Sequence, residues 1–261
     1  MLAQLIETSV PVSSIHAPYP ASVSARGIPS ASLSLSSTDE AERQEAVRVS
    51  KKTIELAAKM GARVVILHMG EIPLNTDLEE KLRRLFHEGL TGSEVYLKVK
   101  EELILERSFR ASQYLEQAAK SLDELSEYSQ STGIMLGLEN RVYFREIPNI
   151  NEMAELLNRV EGSLVGYWHD VGHAEVQQRL GFTPHEEWLI KFGGRMIGIH
   201  LHDVNGVSDH RVPGRGDVDW GMIAKYLPQE AIRTCEINQR NEEELVKEAI
   251  PFLRKVEILS G

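Results

Sequence analysis

Six apolar runs in this 261-residue chain each end on a residue that can bind a metal. They are Ile15-His16, Val64-Val65-Ile66-Leu67-His68, Leu136-Gly137-Leu138-Glu139, Gly166-Tyr167-Trp168-His169-Asp170, Met196-Ile197-Gly198-Ile199-His200 and Thr234-Cys235-Glu236. A divalent ion needs several deprotonated oxygen or nitrogen donors converging on one point. A mixture of imidazole and carboxylate suits zinc, with manganese as the alternative. Glu139, Asp170, His200 and Glu236 offer that mixture from four successive runs, so they are expected to share one divalent metal ion, Zn2+ or Mn2+.

Further donors lie close by in sequence. In Asp170-Val171-Gly172-His173, a glycine at the turn would let His173 face the same side as Asp170. His169 should point the opposite way by strand alternation and serve packing or support. His200 and His202 would both face inward if their strand continues, and spacing alone does not choose between them. His16 and His68 could bind a second ion or hold substrate. His210 sits in a polar loop able to fold over the mouth, whereas His87 and His185 fall on predicted helices, away from strand ends, and are expected at the surface.

The elements that must carry these residues follow from the periodicity. If each apolar run is a buried strand, all six donors sit at strand C-terminal ends, where a parallel α/β barrel gathers its active site. Helical patterns separate the strands. Ser37-Thr38-Asp39-Glu40 reads as a helix start, and the stripe Ala46, Val47, Ile54, Leu56 and Ala57 behind it stops at Gly61. Residues 78–132 read as two or three helices broken near Gly89-Leu90-Thr91-Gly92, the last from about Phe109 to Tyr128. Further helices are predicted over 151–160, 184–192, 220–226 and 242–256. From Glu139 the donors recur at Asp170, His200 and Glu236, intervals of 31, 30 and 36 residues that each fit one βα unit.

The reading is therefore a TIM (β/α) barrel, one domain over residues 1–261, that apparently lacks its first two βα units, since a closed barrel needs eight strands and about six are recognisable. Two open edges would invite covering. The 17–37 segment, another subunit in a homo-oligomer, or βα units upstream of Met1 are the candidates. The run Ala31-Ser32-Leu33-Ser34-Leu35-Ser36 alternates at period two, although its serine content favours a loop.

Composition narrows the partners. A net charge of −10 opposes a broad nucleic-acid footprint, because phosphate binding rests on Lys and Arg. A small-molecule substrate is favoured. The single cysteine, Cys235, excludes an intrachain disulfide and reads as a core thiol. There is no apolar run of membrane-spanning length, and Met1 to Glu7 lacks a signal-peptide pattern, so a cytoplasmic location is expected.

The motifs themselves carry a resemblance. His16-Ala17-Pro18-Tyr19, Leu67-His68-Met69-Gly70, Leu138-Glu139-Asn140-Arg141, His169-Asp170-Val171-Gly172-His173-Ala174, His200-Leu201-His202-Asp203, Pro213-Gly214-Arg215-Gly216-Asp217-Val218-Asp219-Trp220 and Cys235-Glu236-Ile237-Asn238 resemble successive motifs of the xylose-isomerase-like TIM-barrel superfamily. That group contains sugar-phosphate isomerases and epimerases and the endonuclease IV family. The resemblance implies metal ligands at Glu139, Asp170, His200 and Glu236, with the His-x-x-Asp frame ending on Asp203 selecting His200 over His202. The endonuclease branch adds histidines resembling His16, His68, His173 and one near His210. The epimerase branch carries an Arg where this chain has Gly206, which points to a different sugar or a different reaction.

Two functions are thereby expected in order. The first is a metal-dependent isomerase or epimerase of a sugar, sugar phosphate or related hydroxy-carbonyl compound. Glu139 and Glu236 would be its catalytic acid and base, working through a metal-stabilised enediolate. The alternative is an endonuclease IV-like phosphoesterase in which two or three ions activate water.

Overall fold

The alternation of apolar strands and amphipathic helices builds a six-stranded parallel sheet wrapped by helices, seen in a computed structural model that describes residues 11–24 and 26–259. Residues 1–7, read above for a signal peptide, lie outside the described residues. The order begins β1 (Ser14–His16), α1 (Glu40–Met60), β2 (Val64–Leu67), α2 (Thr76–His87), α3 (Glu94–Thr132) and β3 (Met135–Glu139). It continues with α4 (Ile150–Arg159), β4 (Val165–Asp170), α5 (Val171–Arg179), α6 (His185–Phe192) and β5 (Met196–Leu201). Then come the antiparallel pair β6 (Asp203–Asn205) and β7 (Ser208–Arg211), α7 (Trp220–Tyr226), β8 (Ile232–Cys235) and α8 (Glu243–Lys255). Among the described residues, no helix is long and apolar enough to cross a membrane.

Helix ends follow local chemistry. Asp39 caps α1 by accepting from the backbone N–H groups of Ala41 and Glu42, and Gly61 ends the helix at φ 71°, a conformation that glycine adopts without steric cost. Asn149 and Glu152 form a capping box on α4. The stretch read as two or three helices forms two. Nothing between Glu94 and Thr132 is glycine or proline, so the predicted 109–128 helix is the second half of one 39-residue α3. Helix α5 and the β6–β7 hairpin were not anticipated. Asp170 ends β4 and caps α5 at once, which leaves no loop for a sequence pattern to mark.

All strands of the main sheet are parallel, in the order β1-β2-β3-β4-β5-β8. Their period-two alternation sorts side chains into two cores. Val65, Leu67, Leu136, Leu138, Tyr167, Ile199 and Leu201 face the helices. Val64, Ile66, Trp168 and Ile232 form a separate inner cluster, which brings residues of β2 and β8 together around one indole and shows the sheet curled into a nearly closed barrel. Trp168 fills this interior because Gly137 and Gly198 stand on the neighbouring strands. A Cβ at Gly198 would lie 2.0 Å from the indole.

Among the described residues, six strands thus form the main sheet, as the sequence indicated. Among the described residues β1 and β8 do not pair. The 17–37 segment does not bridge them. Its hydrogen bonds run to Ile66 at the end of β2, to Thr53 on α1, to Glu71 and to Ser121 on α3, on the flank of the first two strands. Its serine-rich run forms a short 3-10 turn over Ser30–Ser32 and then loop.

Candidate metal centre

The inner phase of each strand leads directly to the site. Two residues beyond Gly137 is Glu139, beyond Trp168 is Asp170, and beyond Gly198 is His200. The same step takes Ser14 to His16 and Ile66 to His68, and two steps take Ile232 to Glu236. Register aligns Asp170 with His200 across β4 and β5. The six donors therefore share one mouth above the Trp168 plug.

At its centre is the His200 ring, edge-on to Trp168 with centroids 5.1 Å apart. Its Nδ1 lies 2.7 Å from Glu139 Oε1, 2.9 Å from Glu236 Oε2 and 3.5 Å from Asp170 Oδ2. Three carboxylates so gathered need a cation. Without a metal the imidazole supplies it: burial opposes protonation, but hydrogen bonding to Asp170, Glu139 and Glu236 pushes His200 up to about 12. Burial also opposes ionisation of Glu139 and Asp170, yet both are held well below the usual carboxylate range, Glu139 by His68, Arg141 and His200, and Asp170 by His173 and His202. Glu236, partly exposed, is likewise held low by His200 and His210.

His16 provides the test of fit for a metal. It stacks on His200 with centroids 5.0 Å apart, and burial pushes it down to about 4, so it is a neutral imidazole. Its Nε2 is buried and finds no hydrogen-bond partner. Unpaired buried polar atoms are rare and costly, and a neutral ring nitrogen is a metal donor. Donor atoms of His16, Glu139, His200 and Glu236 lie within 4.8 Å of one another, as do those of Glu139, Asp170 and His173. The donor set suits a divalent ion of the zinc class.

The surrounding histidines have distinct tasks. The backbone N–H of His210 donates to His202 Nδ1 at 2.9 Å, which leaves the ring proton on Nε2, 3.0 Å from both oxygens of Asp170. His202 thus orients Asp170 and has no free donor, although it also lies within 4.8 Å of His210 and Glu236. His173 donates from Nδ1 to the Asn140 carbonyl at 2.9 Å, leaving Nε2 toward the mouth near Asp209. His210 lies in the mouth at φ 55°, an unfavourable region for a residue with a side chain, and is fixed by backbone bonds to His202, Asn238 and Asn241. Asp209 and Glu236 push its ring up to about 10. His68 is the most exposed of the set, 2.7 Å from Glu139 Oε2.

Gly172 does not serve a tight turn. It lies within α5, and a Cβ there would fall 2.1 Å from His202 Cε1, so the glycine admits the His202 ring. His185 is not a surface residue but fully buried, because α6 lays it on the outer face of β4. There it meets His169, which points outward as alternation requires. His169 Nδ1 is 2.7 Å from Tyr167 Oη, its Nε2 is 3.0 Å from His185 Nε2, and His185 Nδ1 is 2.9 Å from Glu175. His87 is exposed.

Sequence reasoning passed over Asn140, whose side chain bonds the backbone of Asp170 at both ends, and Arg141, whose guanidinium touches Glu139 and His68. Arg141 continues the inward phase two residues past Glu139, a signal the pattern did contain. Asp203 does not reach the metal ligands. It accepts from the backbone N–H groups of Val204, Gly214 and Val218 and from the Trp220 indole, and so folds the loop that carries His210.

The sequence profile of the Xylose isomerase-like TIM barrel family matches residues 1–256, and the chain belongs to that family. Uncharacterized proteins of Sinorhizobium fredii and Methanocaldococcus jannaschii are each 26% identical, over 74% and 82% of this chain. The matches span 52% and 59% of those proteins, so the chain covers little more than half the length of the curated relatives. Among solved structures, a D-tagatose 3-epimerase-like protein is 22% identical, with a TM-score of 0.64 over 98% of this chain and 81% of that one. The 3-keto-D-glucoside 4-epimerase YcjR of E. coli is 14% identical, TM-score 0.64, over 97% and 82%. IolI with a bound zinc atom is 14% identical, TM-score 0.66, over 100% and 83%. These likenesses show a shared fold.

Proposed function

We propose that this family member is a divalent-metal-dependent isomerase or epimerase acting on a sugar, a sugar phosphate or a related small hydroxy-carbonyl compound. One observation carries the reading: the carboxylates of Glu139, Asp170 and Glu236 converge on His200 Nδ1, beside the unpartnered buried Nε2 of His16. When bound there, a divalent ion supplies Lewis-acid polarisation of a carbonyl and an adjacent hydroxyl. The zinc bound in IolI, the 3-keto-D-glucoside 4-epimerase YcjR and the D-tagatose 3-epimerase-like neighbour support this choice.

The chain's own residues divide the proton work. Glu139 and Glu236 both lie within hydrogen-bond reach of one imidazole nitrogen, from the ends of β3 and β8 with β4 and β5 between them, so a small substrate between them would present a carbon-bound proton to one and receive a proton from the other. Glu236 is the more exposed and meets incoming substrate first, while Glu139 is locked by His68, Arg141 and His200. His173 Nε2 and His210 line the mouth and would hold substrate hydroxyls. The endonuclease IV-like alternative draws on the additional histidine donors, but the net charge of −10 opposes a nucleic-acid partner.

The test is exchange of carbon-bound hydrogen. The protein, reloaded with Zn2+ or Mn2+, is incubated in D2O with a panel of ketoses, sugar phosphates and hydroxy-keto acids, and deuterium incorporation is followed by NMR. Glu139→Gln and Glu236→Gln should each lower exchange by about 10^2 to 10^4. Absence of exchange across the panel with the metal bound, together with cleavage of a phosphodiester, would replace this reading by the hydrolase.

A further inference from the structure

The loop after β3 sends a permanent positive charge into the site. Arg141 is nearly buried, its side chain 12% exposed. Its Nη1 lies 2.5 Å from Glu139 Oε2 and 2.8 Å from His68 Nε2, and those two atoms are 2.7 Å from each other. At its other side Nη2 and Nε lie 2.9 and 3.2 Å from Glu146 Oε1. Glu146 is in turn held through Oε2, which accepts the Tyr143 N–H at 2.8 Å. The guanidinium is therefore gripped from both sides and is part of the site's resting structure.

Its position matters because Glu139 is a divided ligand. Oε1 faces His200 and the four-residue set, whereas Oε2 faces His68. On the His68 side, a second divalent ion would take Glu139 Oε2 and His68 Nε2, which form a ready donor pair. That pair already has a cation against it. Arginine stays charged at any accessible pH, so it cannot yield by losing a proton as a histidine would.

We infer that Arg141 is the site's built-in second cation, holding Glu139 Oε2 and standing against His68 Nε2 so that a second metal ion cannot take this pair and the protein binds one ion per chain. This rests on the metal-centre reading above. A guanidinium can fix an oxyanion by hydrogen bonds, but it cannot generate a hydroxide nucleophile as a second ion does. The arrangement thus suits proton transfer on a hydroxy-carbonyl substrate and works against hydrolysis that depends on paired ions.

The experiment counts metal. The wild type, Arg141→Met and Arg141→Lys are stripped with a chelator, reloaded with excess Zn2+, desalted and measured by elemental analysis, with calorimetric titration of Zn2+ into the stripped proteins. Circular dichroism confirms folding. The expected result is about one ion per chain for the wild type and for Arg141→Lys, which keeps a charge at the position, and a second, weaker ion for Arg141→Met. Loading with Mn2+ gives an independent readout, since electron paramagnetic resonance should report isolated ions in the wild type and a coupled pair in Arg141→Met. If Arg141→Met does not fold, Arg141→Gln removes the charge while keeping a polar end. Two ions in the wild type, or a single ion of unchanged affinity in the neutral variants, overturns the inference while leaving the metal centre standing. No ion in any variant removes the metal centre itself and the inference with it.

Discussion

Replacing Gly198 by alanine tests the link between the barrel interior and the site. The added Cβ would fall 2.0 Å from Trp168 Cζ3, 2.4 Å from Cε3 and 2.5 Å from Cη2. Reaching an ordinary carbon contact of about 3.5 Å requires the indole to retreat by roughly 1.5 Å. On its other side a Cβ at Gly137 would already be 3.1 Å from the same residue, so there is little room to retreat. Trp168 is fully buried, and overpacking in such surroundings costs about 1–3 kcal/mol, here expected at about 3. For a chain of this size that lowers Tm by roughly 6–12 °C. The cause is isolated by a cycle with Trp168→Phe, which removes the clashing part of the indole and leaves a void of its own. In that background Gly198→Ala should be near neutral or stabilising, giving a coupling of about 3 kcal/mol or more. Urea and thermal unfolding of the four metal-free proteins measure it. Equal destabilisation by Gly198→Ala in both backgrounds would refute the plugged-barrel account.

Other consequences are open to measurement. Because His200 is pushed up to about 12 in the metal-free protein, it carries a proton at pH 7.5, and metal binding at its Nδ1 should release about one proton per ion. Calorimetry in two buffers of different ionisation enthalpy measures this, and a release of zero contradicts it. The same shift fixes a sign: the folded pKa lies above the unfolded value of about 6.5, so this stabilisation is complete below that pH and is lost as pH rises toward 12. Melts of the metal-free protein should accordingly fall through the alkaline range. Gly172→Ala, whose Cβ would meet His202 at 2.1 Å, should displace that ring from Asp170 and weaken metal affinity by about 10- to 100-fold, with unchanged affinity as the contrary result. Asp203→Ala leaves the indole and three backbone donors without their acceptor and should cost about 3 kcal/mol or more; a loss under about 0.5 kcal/mol would mean that water replaces the carboxylate without penalty.

The phase of the donors was legible in the sequence. Strand alternation is a property of the local backbone, so Glu139, Asp170, His200 and Glu236 had to share a face with Gly137, Trp168, Gly198 and Ile232 once the runs were strands. The βα spacing then placed their ends at one rim, and His169 was turned outward by the same rule. The helix start at Asp39 and stop at Gly61 were equally local, being set by residues next to the backbone groups concerned. Partnerships between distant segments were decided only by the tertiary structure. His185 looked like a helix-surface residue until α6 packed it onto His169 and Glu175. His202 looked like a rival ligand until the His210 backbone fixed its tautomer. Arg141 could be placed facing inward but not against His68, 73 residues away. Protonation belongs to the same class. His16 and His200 are the same residue type at equivalent strand ends, yet one is driven down to about 4 by exclusion of water and the other up to about 12 by three carboxylates that reach it from other strands, because a charge in a buried site is set by what surrounds it in space.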